Sequence, residues 1–175
     1  INDHTVIGLS NATLEALPYG VSTPSYDRSK LTPGIVHIGL GNFHRAHQAW
    51  YLHRLMQRGL AHNWAIIGAG VRHCDAIMRQ RLLKQDCLTT LVELDPDSAS
   101  VEVIGSMIDY LPVEDDNQSL ITAMADPRIR IVSLTITEGG YFRAPDTAGL
   151  EVAHPAIRYD AGNLDRPRTA WRAMV

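Results

Sequence analysis

The 175-residue sequence predicts an α/β fold, a mostly parallel, doubly wound sheet with an inserted hairpin. Three observations carry this reading. Short apolar runs alternate with stretches of helical spacing, in the order strand, helix, strand, helix, hairpin, helix, strand. The first run, Ile35 to Ile38, is bounded by Pro33-Gly34 and by Gly39, as expected of a buried strand in a parallel sheet. Finally, "IVHIGLGNFH" and "WAIIGAGVRH" echo each other: each reads as a strand, a Gly-x-Gly turn, and three residues that include a histidine. Two strands of a parallel sheet then end in glycine turns on the same side, outside which such folds place their ligands.

Taken in order, residues 1 to 33 are rich in Ser, Thr, Pro and Tyr. They read as an N-terminal arm packed on the surface, with one short helix near Ala12 to Leu17. The domain proper runs from 34 to 175. After the first strand, Arg45 to Arg58 has helical spacing. It puts Ala46, Ala49, Trp50, His53 and Met56 on one face, with Gly59 as its C-terminal cap. Trp64 to Ile67 is a second strand. Asp75 to Gln85 is a second helix, with Asp75 at the N-cap and Met78, Leu82 and Leu83 facing inward. Leu88 to Leu94 and Val101 to Ile104 flank "DPDSAS", whose composition is that of a turn, and form the hairpin. Asn117 to Ala125 is a short helix, capped by Asn117 and stopped at Asp126-Pro127. Ile129 to Thr137 contains the third core strand, with "EGGYF" as the loop at its carboxyl end.

Composition narrows the function. The chain is 45% hydrophobic and 20% charged with a formal net charge of -3, which argues against a general affinity for nucleic acid or anionic lipid. No apolar stretch approaches the roughly 20 residues that span a bilayer, and the polar start contains Asp3 and His4 and does not resemble a signal peptide. Cys74 and Cys87 form no metal or redox motif and read as reduced thiols in a cytoplasmic protein. The arginines are scattered and read as surface residues, with one or two anion binders among them.

Four groups of residues could carry chemistry. Gly39-Leu40-Gly41 and the helix after it could let a backbone approach a pyrophosphate, with the helix's free N–H groups behind. The third position of that fingerprint is His44 and not Gly or Ala, so the spacing alone fits a phosphate cradle or a structural turn equally. Asp75 could accept hydrogen bonds from an adenosine ribose or simply cap its helix, while Arg72 could favour a 2′-phosphate instead. The set His37, His44, His47 and His53 includes an i, i+3 pair, His44 and His47, at a spacing that can ligate a metal. The chain lacks a nearby carboxylate to complete such a site, and His53 falls in the apolar stripe. No metal is expected. The loop Glu138-Gly139-Gly140-Tyr141 could line a cleft or be a plain connection.

These residues resemble a known family. "GLGNFHRAHQAWYLHRL" is similar to the N-terminal signature of the mannitol dehydrogenase family, the polyol-specific long-chain dehydrogenases and reductases. In that family the departure at the third glycine is normal. "WAIIGAGV" with Asp75, "QDCLTTLVE" and "SLTITEGGYF" are similar to three further blocks, with Thr89 standing where the family usually has tyrosine. The arm is closest to the mannitol 2-dehydrogenase branch. The resemblance implies a Rossmann-like domain that binds NAD, the N-terminal part of a larger two-domain enzyme. A C-terminal helical catalytic domain is expected beyond Val175. It would supply a catalytic lysine in a Lys-x4-Asn-x2-His pattern, which neither Lys30 nor Lys84 begins.

The implied reaction is hydride transfer from a polyol to NAD, D-mannitol giving D-fructose. The implied cofactor-binding residues are Ile38, Gly39, Leu40, Gly41, Asn42, Phe43, His44, Arg45, Ala46 and Asp75. The implied partner is a polyol or ketose substrate, and the protein would be a monomer or weak oligomer. Within the family, fructuronate or tagaturonate reductases and arabinitol dehydrogenases are alternatives. A non-catalytic NAD-sensing module is the alternative from another class. The last segment, "RTAWRAMV", reads as an interrupted helix with Ala170, Trp171 and Met174 inward, so the chain is expected to be part of a longer polypeptide.

Overall fold

The structure is a computed structural model that describes residues 6–166 and 169, without 137, 145 and 148. The helix expected in "RTAWRAMV" lies outside the described residues, Thr169 excepted. In chain order the strands and helices are β1 (Val21–Ser22), β2 (Pro33–Ile38), α1 (Asn42–Ala46), α2 (Gln48–Gln57), β3 (Ala65–Ala69), α3 (Asp75–Lys84), β4 (Thr89–Asp95), β5 (Ser98–Ile104), β6 (Met107–Tyr110), α4 (Gln118–Met124), β7 (Ile131–Leu134) and α5 (Pro155–Gly162).

Four strands form a parallel sheet in the order β6-β3-β2-β7. The chain starts at β2, steps outward through β3 to β6, then crosses back to lay β7 on the other side of β2. The order therefore reverses between β2 and β7, and their carboxyl ends flank a topological switch point. All six residues of β2 are buried, because helices cover both faces of the sheet. Ile35 joins Leu52 and Met56 of α2, Ile66 of β3 and Leu82 of α3 on one face. Val36 and Ile38 join Ala69 and Leu120 of α4 on the other. Complete burial of such an aliphatic side chain contributes roughly 1.5–3 kcal/mol. His37 interrupts the apolar run. Its ring is buried but satisfied, with Nδ1 2.8 Å from Ser133 Oγ and Nε2 3.0 Å from Thr135 Oγ1.

Several details differ from expectation. The expected hairpin forms as β4–β5, but the arm does not merely pack on the surface: its β1 pairs in parallel with β5, making a three-stranded sheet separate from the main one. The arm is thus built into the fold, and Arg28 is not a surface arginine. Its guanidinium donates to the carbonyls of Gly105 (2.9 Å), Asp86 (2.7 Å) and Met107 (2.7 Å). The strand β6 was not legible, since four residues are too few to display a period. The helix expected from Arg45 begins earlier, at Asn42, and breaks at His47, whose φ of -121° and ψ of -83° are not helical.

Beyond the break, Ala49, Leu52, His53 and Met56 are buried as the spacing requires. Gly59, with φ of 75°, closes the helix: its N–H donates to Met56 O and that of Leu60 to Leu55 O. Asp75 is not the N-cap of its helix but its first residue, after Cys74. Asn117 holds the N-cap position of α4 in a left-handed conformation, and the caps come from Asp116 to Gln118 N and from Glu114 to Ser119 N. Glu138–Tyr141 is a turn of 3-10 helix.

Candidate dinucleotide site at the switch point

The turn after β2 is shaped by its neighbours. Ile38 O accepts from Thr135 N (3.0 Å) and Gly39 N donates to Ala69 O (2.9 Å), so the chain leaves the sheet squarely between β3 and β7. Gly39 has φ of 93°, and a Cβ there would lie 2.7 Å from Thr135 O. Glycine is required on both counts. Leu40 is buried and lies over Gly68, where a Cβ would come within 2.1 Å of Leu40 Cδ1. Gly41 is the N-cap of α1, and a Cβ there would meet nothing within 4 Å. That open side is what a pyrophosphate resting on the turn needs, with the first N–H groups of α1 free of intrahelical partners behind it.

The expected residues on α1 divide into two sets. Asn42 and Arg45 face each other, Arg45 Nη2 donating to Asn42 Oδ1, and Phe43 is exposed with its ring stacked on His47 at 4.4 Å. Ala46 is the last residue of α1 and is half-buried. His44 turns inward: it is buried, its ring stacks on that of His37 at 3.6 Å between centroids, and its Nδ1 lies 3.0 Å from Gln48 Oε1. Gln48 Nε2 in turn donates to Ser133 Oγ at 3.4 Å. The two imidazoles thus join β2, β7, α1 and α2 directly under the turn. Burial holds His37 down at a pKa of about 4; burial, and then the neighbouring His37, hold His44 at about 3. Both rings are neutral at physiological pH. The pairing of His44 with His47 as metal ligands does not form, because the break at His47 ends the shared helical face and each ring has a different partner. Among the described residues no three His, Cys, Asp or Glu side chains converge on one point.

Asp75 stands beside this turn. Gly70, one residue after Ala69, has no room for a Cβ: the atom would lie 2.3 Å from Asp75 Cβ and 2.7 Å from Tyr110 Oη. Asp75 Oδ2 accepts from Val71 N (3.2 Å) and Arg72 N (3.0 Å), and Oδ1 lies 3.2 Å from Arg72 Nη2. A cleft of about 440 Å³ opens next to it, lined by Val71, Arg72, His73, Val113, Glu114 and Asp115. The structure therefore brings Gly39, Gly41 and Asp75 to one edge of the sheet. It also brings in Gly68 and Gly70 of the second Gly-x-Gly turn, and adds Tyr110, Ser133 and Thr135, which were not singled out from the sequence. The repeated Gly-x-Gly contained the signal for the two glycines; the others act through contacts with distant segments. Tyr141 is half exposed, in the turn beyond β7.

The comparisons agree with this fold. The family model of the mannitol dehydrogenase Rossmann domain matches residues 33–173. A mannitol 2-dehydrogenase from Cereibacter sphaeroides is 57% identical over 156 residues, 89% of this chain and 32% of that protein. A polyol:NADP oxidoreductase from Gluconobacter oxydans is 38% identical over 170 residues, 95% of this chain and 35% of that protein. The fold matches Pseudomonas fluorescens mannitol 2-dehydrogenase, solved as a ternary complex with NAD and D-mannitol, with a TM-score of 0.89 and 43% identity. That match covers 96% of this chain and 34% of the solved one, so the chain spans about a third of the length of the relatives it matches. The chain belongs to the mannitol dehydrogenase family, and residues 33–173 are its Rossmann domain.

Proposed function

We propose that this chain is the cofactor-binding part of an NAD-dependent polyol dehydrogenase that interconverts D-mannitol and D-fructose. The observation that carries the reading is the turn at the switch point. Gly39 is held in a conformation only glycine adopts easily, and Gly41 presents an open face at the N-terminus of α1. The relatives that name mannitol, one of them solved with NAD and D-mannitol, support the substrate and the cofactor. When bound, NAD supplies the hydride acceptor.

The residues present fit that group. Ile38 to Gly41 and the N–H groups of Asn42, Phe43 and His44 receive the phosphates, with Arg45 released from Asn42 as their counter-charge. Ala46 completes the short helix, and Asp75 takes the ribose hydroxyls. The group that removes the alcohol proton belongs to the expected helical domain in the rest of the polypeptide. Lys30 pairs with Asp27 at the surface (3.3 Å), and Lys84 ends α3, at the opposite end from Asp75. The substrate-side partners are a polyol and its ketose, and the protein acts in the cytoplasm as a monomer or weak oligomer. The two free cysteines, Cys74 and Cys87, suit a reducing compartment. Among the described residues no helix is long and apolar enough to cross a membrane.

The test is a panel of D-mannitol, D-sorbitol, D-arabinitol and hexuronates on the complete polypeptide, followed by NADH absorbance. D-Mannitol should give the highest kcat/KM, and a hexuronate in that place would replace this reading with a reductase. Asp75→Ala should raise KM for NAD more than KM for the polyol; an unchanged KM for NAD removes the ribose assignment.

A further inference from the structure

The arm is fastened to the body of the domain by hydrogen bonds more than by packing. Its turn of 3-10 helix, Asn11–Ala16, and its strand β1 bury no residue. A cleft of about 520 Å³ opens between the two parts, lined by Leu14, Pro24 and Arg28 of the arm and by Leu83, Cys87 and Ile108 of the body. The ties across this junction include Asn11 N to Asp86 Oδ2 (2.8 Å), Ser25 N and Oγ to Gln57 Oε1 (2.7 and 2.6 Å), and the three carbonyls on Arg28. A further tie joins Tyr26 Oη to His53 Nδ1 at 2.7 Å. Of these groups, histidine is the one that changes charge near neutrality.

His53 lies on α2, with its ring fully buried where three distant segments meet. Gly105 N donates to Nδ1 (3.3 Å). A backbone N–H can only donate, so Nδ1 carries the lone pair and the ring proton sits on Nε2. Tyr26 is thereby fixed as a second donor to Nδ1. On the other side, Nε2 lies 3.4 Å from Glu102 Oε1 of β5. Glu102 is held in turn by Trp50 Nε1 (2.7 Å) and Arg54 Nη1 (3.2 Å) of α2. The arm also brings the Arg28 guanidinium toward the ring, and His62 packs against Tyr26 with 5.7 Å between ring centroids. Burial lowers the His53 pKa below its ordinary 6.5; Glu102 opposes that shift, and Arg54 and Arg28 add to it. A proton on Nδ1 has no place in this arrangement. It would point at the Gly105 N–H and force the Tyr26 hydroxyl from donor to acceptor.

We propose that His53 is an acid-sensitive latch for the arm: unprotonated Nδ1 holds Tyr26 and Gly105, and proton uptake there frees the arm from the body of the domain. An opened arm gives the ring to water and to its ordinary pKa, so opening takes up a proton. The latch is at full strength above about pH 6.5. It weakens as pH falls toward the lower value of the closed state, the opening equilibrium rising by at most about tenfold per pH unit. None of these residues belongs to the dinucleotide site, so the latch stands or falls apart from the cofactor reading.

The test is hydrogen exchange of the complete polypeptide at pH 7.5, 6.5 and 5.5, corrected for the intrinsic rate, for wild type, His53→Gln and Tyr26→Phe. In wild type, protection of residues 18–30 should fall up to about tenfold between pH 6.5 and 5.5 and stay below that of β2 throughout. His53→Gln can still accept from Tyr26 but does not titrate, and its arm should keep the same protection across that range. Tyr26→Phe should lower arm protection about fivefold at pH 7.5 and leave β2 unchanged. An arm whose protection ignores pH in wild type, falls equally in His53→Gln, or matches that of β2 overturns the proposal. If His53→Gln does not fold, nitrogen-15 spectra of the wild-type histidines decide: His53 should be the Nε2–H tautomer at pH 7.5, and a proton on Nδ1 there overturns the latch.

Discussion

The two Gly-x-Gly turns look alike in sequence and are built on different physics. The first, Gly39-Leu40-Gly41, needs glycine for a positive φ and for an approach of 2.7 Å to a backbone oxygen, and its last member faces open space. The second, Gly68-Ala69-Gly70, needs glycine only to admit side chains: Leu40 over Gly68, and Asp75 and Tyr110 against Gly70. Beneath the first lies a polar support of two stacked imidazoles; the second rests on apolar and aromatic packing. A repeated motif therefore marks one turn open to the proposed ligand and one that admits the side chains packed beside it.

Substitutions at these turns sharpen the contrast. Gly39→Ala should have the largest effect. Neither φ nor the Thr135 carbonyl can yield without separating β2 from β7, so about 3 kcal/mol of stability should be lost, with NADH binding. Urea unfolding and NADH titration check this, and a wild-type midpoint would show that the turn relaxes freely.

Acid should next distinguish the two supports. The folded-state pKa values of His37 and His44, about 4 and about 3, lie below the ordinary value of 6.5, so the unfolded chain binds the extra protons. The stability these neutral rings provide is complete above pH 6.5. It declines as pH falls toward about 4, each group contributing up to about 1.4 kcal/mol per pH unit. His44→Leu should flatten the fall by close to one proton when unfolding is measured at pH 7, 5.5 and 4.5. A parallel slope would mean that His44 is already protonated or exposed.

Gly68→Ala should cost about 1–3 kcal/mol, because the obstacle is the end of the flexible Leu40 side chain and not a backbone atom. A larger loss than at Gly39 would reverse the ranking of the two turns. Gly41→Ala should be the mildest for stability, within about 0.5 kcal/mol, since φ of -72° suits alanine and the space is empty. It should nonetheless weaken NADH about tenfold, as a methyl group takes the room of the phosphate. Unchanged affinity would place the phosphates elsewhere.

Much of the candidate site was legible beforehand. Gly39, Gly41 and Asp75 stood out because strand-to-helix turns and acidic residues after a second strand have local signatures, and the structure sets them at one edge. His44 was legible as a motif residue but not as a buried one. Its ring partner, His37, lies seven positions earlier on a strand, and the hydroxyls that satisfy His37 lie 96 and 98 residues further along. The break at His47 was hidden for a related reason: the apolar spacing of α2 continues smoothly across it, and the interruption frees His44 to turn inward.

By itself the sequence determined the strand-and-helix alternation, the glycine turns, the Gly59 helix stop and the family signature. These follow from backbone sterics and from the spacing of neighbours along the chain. Only the tertiary structure decided that the hairpin joins the arm in a second sheet, that the half-buried Arg28 is held by three backbone carbonyls, and that two histidines support the turn. Each of those outcomes depends on which distant segment arrives to bury or pair a polar group, and that free energy is not written in any local stretch of residues.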